Sequence, residues 1–238
     1  MAEIPLPSLE TLSKISGWFG EQAKTWLAIV RNPVVFLSEL DLASQDVLAS
    51  SLKFFFCVLL ATHIIHIPLF SILYHLDAFD AATAISLFFV FALQVVLFGY
   101  CIYAFGRLLR GNGTLMATFI STFYISAFLP IMILASVPAA VQEVVYRNAF
   151  HVDPLFDNNG YLKPSPTYLL LLAVWLAAQI YVVIKIVPVV KYVHKFDTFR
   201  ALAVLGGACL VYFAYLWLVF WPLGHAMLQN SQSVSHSG

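Results

Sequence analysis

Charge is what this chain has least of. Lys, Arg, Asp and Glu make up 10% of its 238 residues, against about 25% in a soluble domain. Acids are absent from the centres of the long apolar runs, which removes the carboxylates that ion-coupled pumps and carriers depend on. The formal net charge is zero, so no global field draws the chain to nucleic acid. Cysteine is sparse too. Cys57, Cys101 and Cys209 all lie within apolar runs and read as small packing residues, not as disulfides or a metal site. There is no Gly-x-Ser-x-Gly, no Ser or Cys beside a His at useful spacing, and no phosphate-binding glycine loop. These absences point away from an enzyme. Residues 1–30 carry acids, prolines and polar residues where a cleavable signal peptide has its apolar stretch.

What is abundant is apolar and aromatic. Hydrophobic residues account for 61% of the chain, with 21 Phe, 11 Tyr and 5 Trp, and the mean hydropathy is +0.88. Five long apolar segments run from about Ser51 to Leu76, Ala81 to Leu109, Thr114 to Val141, Thr167 to Lys191 and Phe199 to Met227. Each meets the requirement of about 20 residues for crossing a bilayer. In lipid each must be helical, because every backbone polar group needs an internal partner. The expected fold is all-α: an integral membrane bundle of five transmembrane helices over residues 51–227. An amphipathic cytoplasmic segment, residues 1–50, precedes it, and a polar, disordered extracytoplasmic tail, residues 228–238, follows it.

Within residues 1–50, Leu12, Ile15, Trp18, Phe19, Trp26 and Leu27 recur at helical spacing and form one apolar stripe. With Trp18, Phe19 and Trp26 on it, the stripe suits a helix lying in the membrane interface. It equally suits a helix packed on the protein's own bundle. Asn32-Pro33 ends that helix.

Lys and Arg set the orientation. Lys14, Lys24, Arg31 and Lys53 belong to the N-terminal segment and the start of the first span, Arg107 and Arg110 to the loop after the second, and Lys185, Lys191, Lys195 and Arg200 to the end of the fourth and the loop after it. Only Arg147 and Lys163 of the twelve fall on the other side. The expected placement is therefore multi-pass, with the N-terminus cytoplasmic and the C-terminus outside; a bacterial inner membrane is the membrane expected.

The polar residues inside the apolar runs are the candidates for function. His63 and His66 are three residues apart and share a helix face. A metal, a haem or a proton relay is one reading; satisfied side chains packed in the bundle is the other. No facing helix supplies Asp, Glu or a second His pair, so no metal and no cofactor is assigned. Gln94 and Gln179 are the remaining strong polar groups at mid-span. They either join helices by hydrogen bonds or line a polar path together with His63 and His66. Arg107 and Arg110, at headgroup level, either bind lipid phosphate or fix topology. Gly206-Gly207 offers a small-residue face for helix packing.

The hairpin Gly106-Arg107-x-x-Arg110-Gly111-Asn112-Gly113-Thr114, with Tyr124 and Pro130 after it, resembles the central hairpin and third helix of the YIP (Ypt-interacting protein) domain family. Asn32-Pro33-x-x-Phe36 is similar to that family's pre-membrane segment, and Lys191 through Ala201 to its link into the last helix. The resemblance, over about residues 30 to 225, implies a five-span helical bundle. It implies no reaction. On this basis the sequence reads as a non-enzymatic YIP-like membrane protein that scaffolds a membrane complex or organises local lipid. The alternative is a passive channel, carrier or lipid transporter with a polar path through the bundle. The partners expected are membrane lipids and either a membrane protein or a second copy of the chain; nucleic acid is not among them.

Overall fold

A computed structural model of the chain describes residues 9–74, 81–149, 165–215 and 217–218. Among these residues every regular element is helical. A long helix α1 (Leu9–Arg31) is followed by the short α2 (Pro33–Ser38), then α3 (Gln45–Tyr74), α4 (Ala81–Leu108), α5 (Leu115–Ile125), a 3-10 turn (Ser126–Phe128), α6 (Leu129–Ala149), α7 (Pro166–His194) and α8 (Thr198–Tyr215). Five stretches are long and apolar enough to cross a membrane: Gln45–Ile65, Phe88–Leu108, Leu115–Pro138, Pro166–His194 and Thr198–Tyr215. The five expected spans are therefore present. The side chains of His66, Glu143 and Arg147 lie outside the described residues, as do His75, Lys163, His225 and the segment 228–238.

Four of the helices, α2, α5, α7 and α8, begin where the sequence supplies a cap. Asn32 Oδ1 accepts from Val35 N at 3.3 Å, with Pro33 at the first helical position. Thr114 Oγ1 accepts from Ala117 N at 3.1 Å, and Ser165 Oγ from Tyr168 N at 3.1 Å. Asp197 Oδ1 accepts from Arg200 N at 2.8 Å at the start of α8. These contacts satisfy amide donors that a helix start otherwise leaves open.

The third span is not one straight helix. It breaks at Ser126–Phe128 because Pro130 has no amide proton and crowds the carbonyl four residues back. Ser126 O takes a 3-10 bond from Leu129 N instead. The hydroxyls of Ser121, Thr122 and Ser126 bond back to carbonyls three or four residues earlier, which favours bending. The break has consequences for the whole bundle. Before it, α5 is buried from Ala117 to Ile125 except at Phe119 and packs against α3, α4 and α7, filling the centre of the bundle. After it, α6 joins the wall between α3 and α7. The outer ring is closed by α4 against α8 and α8 against α7.

Packing is densest at the hairpin end. Phe54, Ile120, Tyr124, Phe128, Val189 and Val193 form one buried cluster, with the Tyr124 ring 4.9 Å from Phe36 and 5.5 Å from Phe54. The end of α1 is part of this cluster. Ile29 is 1% exposed, and Trp26 Nε1 donates to Ala127 O in the 3-10 turn at 2.7 Å. Lys185 Nζ caps the last turn of α1 by donating to Arg31 O at 2.8 Å. Of the N-terminal stripe, Trp26 packs on the bundle beside its off-stripe neighbour Ile29, while Trp18, Phe19 and Leu27 remain exposed.

Candidate functional site

Because α5 occupies the axis and α6 does not, the bundle centre opens beyond the 3-10 turn. The space is a chamber of about 380 Å³, walled by all five spans. It lies near the lower end of the size range of ligand pockets, about 300–1,000 Å³. Leu59 and His63 of α3, Gln94 and Phe98 of α4, Ile125 to Ile133 around the turn, Gln179 and Val182 of α7, and Cys209 and Tyr212 of α8 contribute to it.

The polar residues picked out from sequence come together here. His63, Gln94 and Gln179, from three different spans, all line the chamber. His63 is 6% and Gln94 4% exposed. The His63 ring stands edge-on to Phe88 at 5.7 Å and to Phe91 at 6.3 Å. Tyr212 Oη donates to Gln94 Oε1 at 3.3 Å, joining α8 to α4. Thr62, also on the wall, is 5% exposed, and its Oγ1 has no hydrogen-bond partner among the described residues. Among the described lining residues there is no Asp, Glu, Lys or Arg. Sequence reasoning did not find Thr62 or Tyr212. Thr and Tyr are ordinary in apolar helices, and only the position of Thr62 beside His63 marked it.

The chamber has a side. Of the described residues that line it, only Val183 and Phe213 are exposed, at 46% and 64%. They belong to the neighbouring helices α7 and α8, so the chamber opens laterally between these two.

A second polar assembly sits at the hairpin end. His194, the last residue of α7, is 1% exposed. Its ring stacks on Phe196 at 5.5 Å with the planes 12° apart, and its carbonyl accepts from Asn112 N at 3.1 Å. Thr118 Oγ1 gives its only proton to Thr114 O at 2.8 Å. It therefore accepts from His194 Nε2–H at 3.3 Å, which leaves Nδ1 as a bare lone pair, without a partner. The hairpin glycines make room for this ring. A Cβ on Gly113 would lie 2.5 Å from His194 Nδ1, one on Gly106 2.5 Å from Cε1, and one on Gly111 2.5 Å from the Phe196 ring. Gly111 and Gly113 do not supply the positive φ of the turn: the left-handed residue is Arg110, at φ 63°, and the glycines are required by close approach.

Arg107 and Arg110 are both exposed at this end. Arg107 Nη1 donates to Gly111 O at 3.4 Å, bracing the hairpin. Among the described residues no three His, Cys, Asp or Glu side chains gather as a metal site. Gly207 packs against the Phe105 ring, whereas Gly206 faces open space, so of the two glycines only Gly207 joins the small-residue contact that buried Ala201 and Ala208 also make. No family model, no curated protein and no solved structure matches the chain.

Proposed function

We propose that this is a non-enzymatic membrane protein that holds a lipid within its bundle, acting as a carrier or organiser of membrane lipid. One observation carries the reading: His63, Gln94 and Gln179 converge on one chamber that opens sideways between α7 and α8. Buried polar groups are costly unless they are paired. His63 and Gln94 are buried and Gln179 half-buried, and three polar side chains from three helices around a shared space suit a ligand as well as helix adhesion. The YIP-like layout is part of the proposal and adds no chemistry of its own. The orientation belongs here as well. Arg107, Arg110, Lys191, Lys195 and Arg200 lie at one end, tied together where Asn112 N meets His194 O; by the distribution of positive charge that end is cytoplasmic, in a bacterial inner membrane.

The scaffold reading draws on a different feature. Through its first two-thirds α7 is exposed on nearly all sides, at Leu169, Leu170, Trp175, Leu176 and Ile180 among others. A partner helix would cover that surface as readily as lipid does.

Mild-detergent purification followed by native mass spectrometry tests both. A stoichiometric lipid on the isolated chain is the expected result. A stoichiometric protein partner without lipid favours the scaffold, and a bare chain removes the lipid-binding reading.

A further inference from the structure

The wall of the chamber describes the head of its ligand. Thr62 Oγ1 is buried with no partner. Gln94 uses its carbonyl oxygen to accept from Tyr212, and its NH₂ group donates to nothing among the described residues. Gln179, half-buried at the same wall, makes no described hydrogen bond either. Thr62, Gln94 and Gln179 belong to a wall that also holds His63, Ser126 and Tyr212 and is otherwise mainly Leu, Ile, Val, Phe and Met. The unpartnered Thr62 hydroxyl carries an unmet desolvation cost, and a ligand oxygen that reaches it removes it.

The same wall is as clear about what it does not fit. No Lys or Arg is among the described residues that line the chamber. A phosphate brought in would be stripped of water with no counter-charge, which costs far more than burying a hydroxyl or an ester. The volume, about 380 Å³, accommodates one chain or ring system with a small head, not a two-chain phospholipid.

We infer that the chamber binds a single-chain or ring-bearing lipid with an uncharged hydroxyl, ester or ketone head, taken in sideways between α7 and α8, its head oxygens on Thr62 and Gln94 and its chain toward Val183 and Phe213. This deepens the proposed function and rests on it. The head donates a hydroxyl proton to, or accepts from, Thr62 Oγ1, and it accepts from Gln94 Nε2. The mouth needs no polar lining, because the ligand arrives from lipid and its chain never leaves an apolar surrounding.

A matched pair of photoprobes separates the claims: a monoacylglycerol and a lysophosphatidic acid with the same diazirine-bearing chain, which differ by the phosphate alone. Each is incubated with the full chain in maltoside micelles, irradiated, and the labelled peptides are mapped. The neutral probe is expected to label peptides bearing Leu59 to His63, Gln94 to Phe98 and Cys209 to Phe213. On these it should exceed the anionic probe by about tenfold or more, a difference of about 1.4 kcal/mol. Unlabelled monoacylglycerol should compete. Thr62→Val, nearly isosteric, and Gln94→Leu should each lower chamber labelling severalfold without lowering the melting temperature of the empty protein by a like amount. Equal labelling by both probes at the chamber overturns the uncharged-head assignment and leaves lipid binding standing. Labelling at the chamber no stronger than on the outward faces of α7 overturns both. Unchanged labelling of the two variants overturns the placing of the head on Thr62 and Gln94.

Discussion

At the scale of single residues, the hairpin end is held by a histidine that no sequence motif singles out. His194 belongs to a basic stretch, Lys191 to Lys195, and reads there as one more positive residue near headgroups. Its role depends on Gly106 and Gly113, far earlier in the chain, whose missing Cβ atoms leave the space its ring fills. The glycines are legible as a turn; what they make room for is not, because no local pattern records which distant ring will arrive. The contrast with Gly206 gives a prediction. In Gly113→Ala the new methyl meets a ring fixed by Phe196 and Thr118, and overpacking of that kind costs about 1–3 kcal/mol. Gly206→Ala meets nothing within 4 Å inside a helix, where Ala is favoured by up to about 1 kcal/mol. Thermal unfolding in detergent should therefore move in opposite directions for the two variants. A Gly113→Ala protein as stable as the parent would mean that the ring is not confined as described.

Elements were legible to different degrees. The five spans follow from length and hydropathy alone, since a bilayer offers a helix few alternatives. The bend in the third span is less so: a proline in an apolar run is a helix breaker, yet that the break at Pro130 moves α6 off the axis and leaves a chamber is a property of the packed ring. The N-terminal helix was ambiguous because one apolar stripe serves lipid and protein equally. Packing decides it at Ile29, which is 1% exposed, and at Trp26, whose indole reaches Ala127 O. Ile29→Ala removes a buried side chain at a cost of about 2–5 kcal/mol. If α1 opens as a local unit, that shifts its opening equilibrium by more than about tenfold. Limited proteolysis should then cut within residues 9–31 much faster in the variant while the spans stay whole. Equal cutting rates would show α1 to be held by its exposed face, through Trp18 and Phe19, and not by docking.

At the scale of the molecule, the chamber sets stability against binding. His63, Gln94 and Gln179 were visible in the sequence because strong polar groups in apolar helices are rare; Thr62 and Tyr212 were not, because a hydroxyl on a helix ordinarily bonds its own backbone and leaves no sign of doing otherwise. That Thr62 Oγ1 has no such bond makes it the residue at which the two demands separate. Thr62→Ile keeps the branched Cβ, removes a buried unpaired hydroxyl and adds apolar volume beside an open space. An unsatisfied buried group costs about 1–3 kcal/mol, so the variant should unfold later than the parent by an amount within that range. It should also retain less lipid through purification, because the head has lost a partner and the chain some of its room. Functional sites commonly hold groups that lower the stability of the empty protein, and gain of stability with loss of bound lipid is the pattern that marks one. A Thr62→Ile protein that is less stable, with its lipid undiminished, would instead make Thr62 a packing residue satisfied by water in the chamber. The weight of the polar wall would then fall on Gln94 and Tyr212.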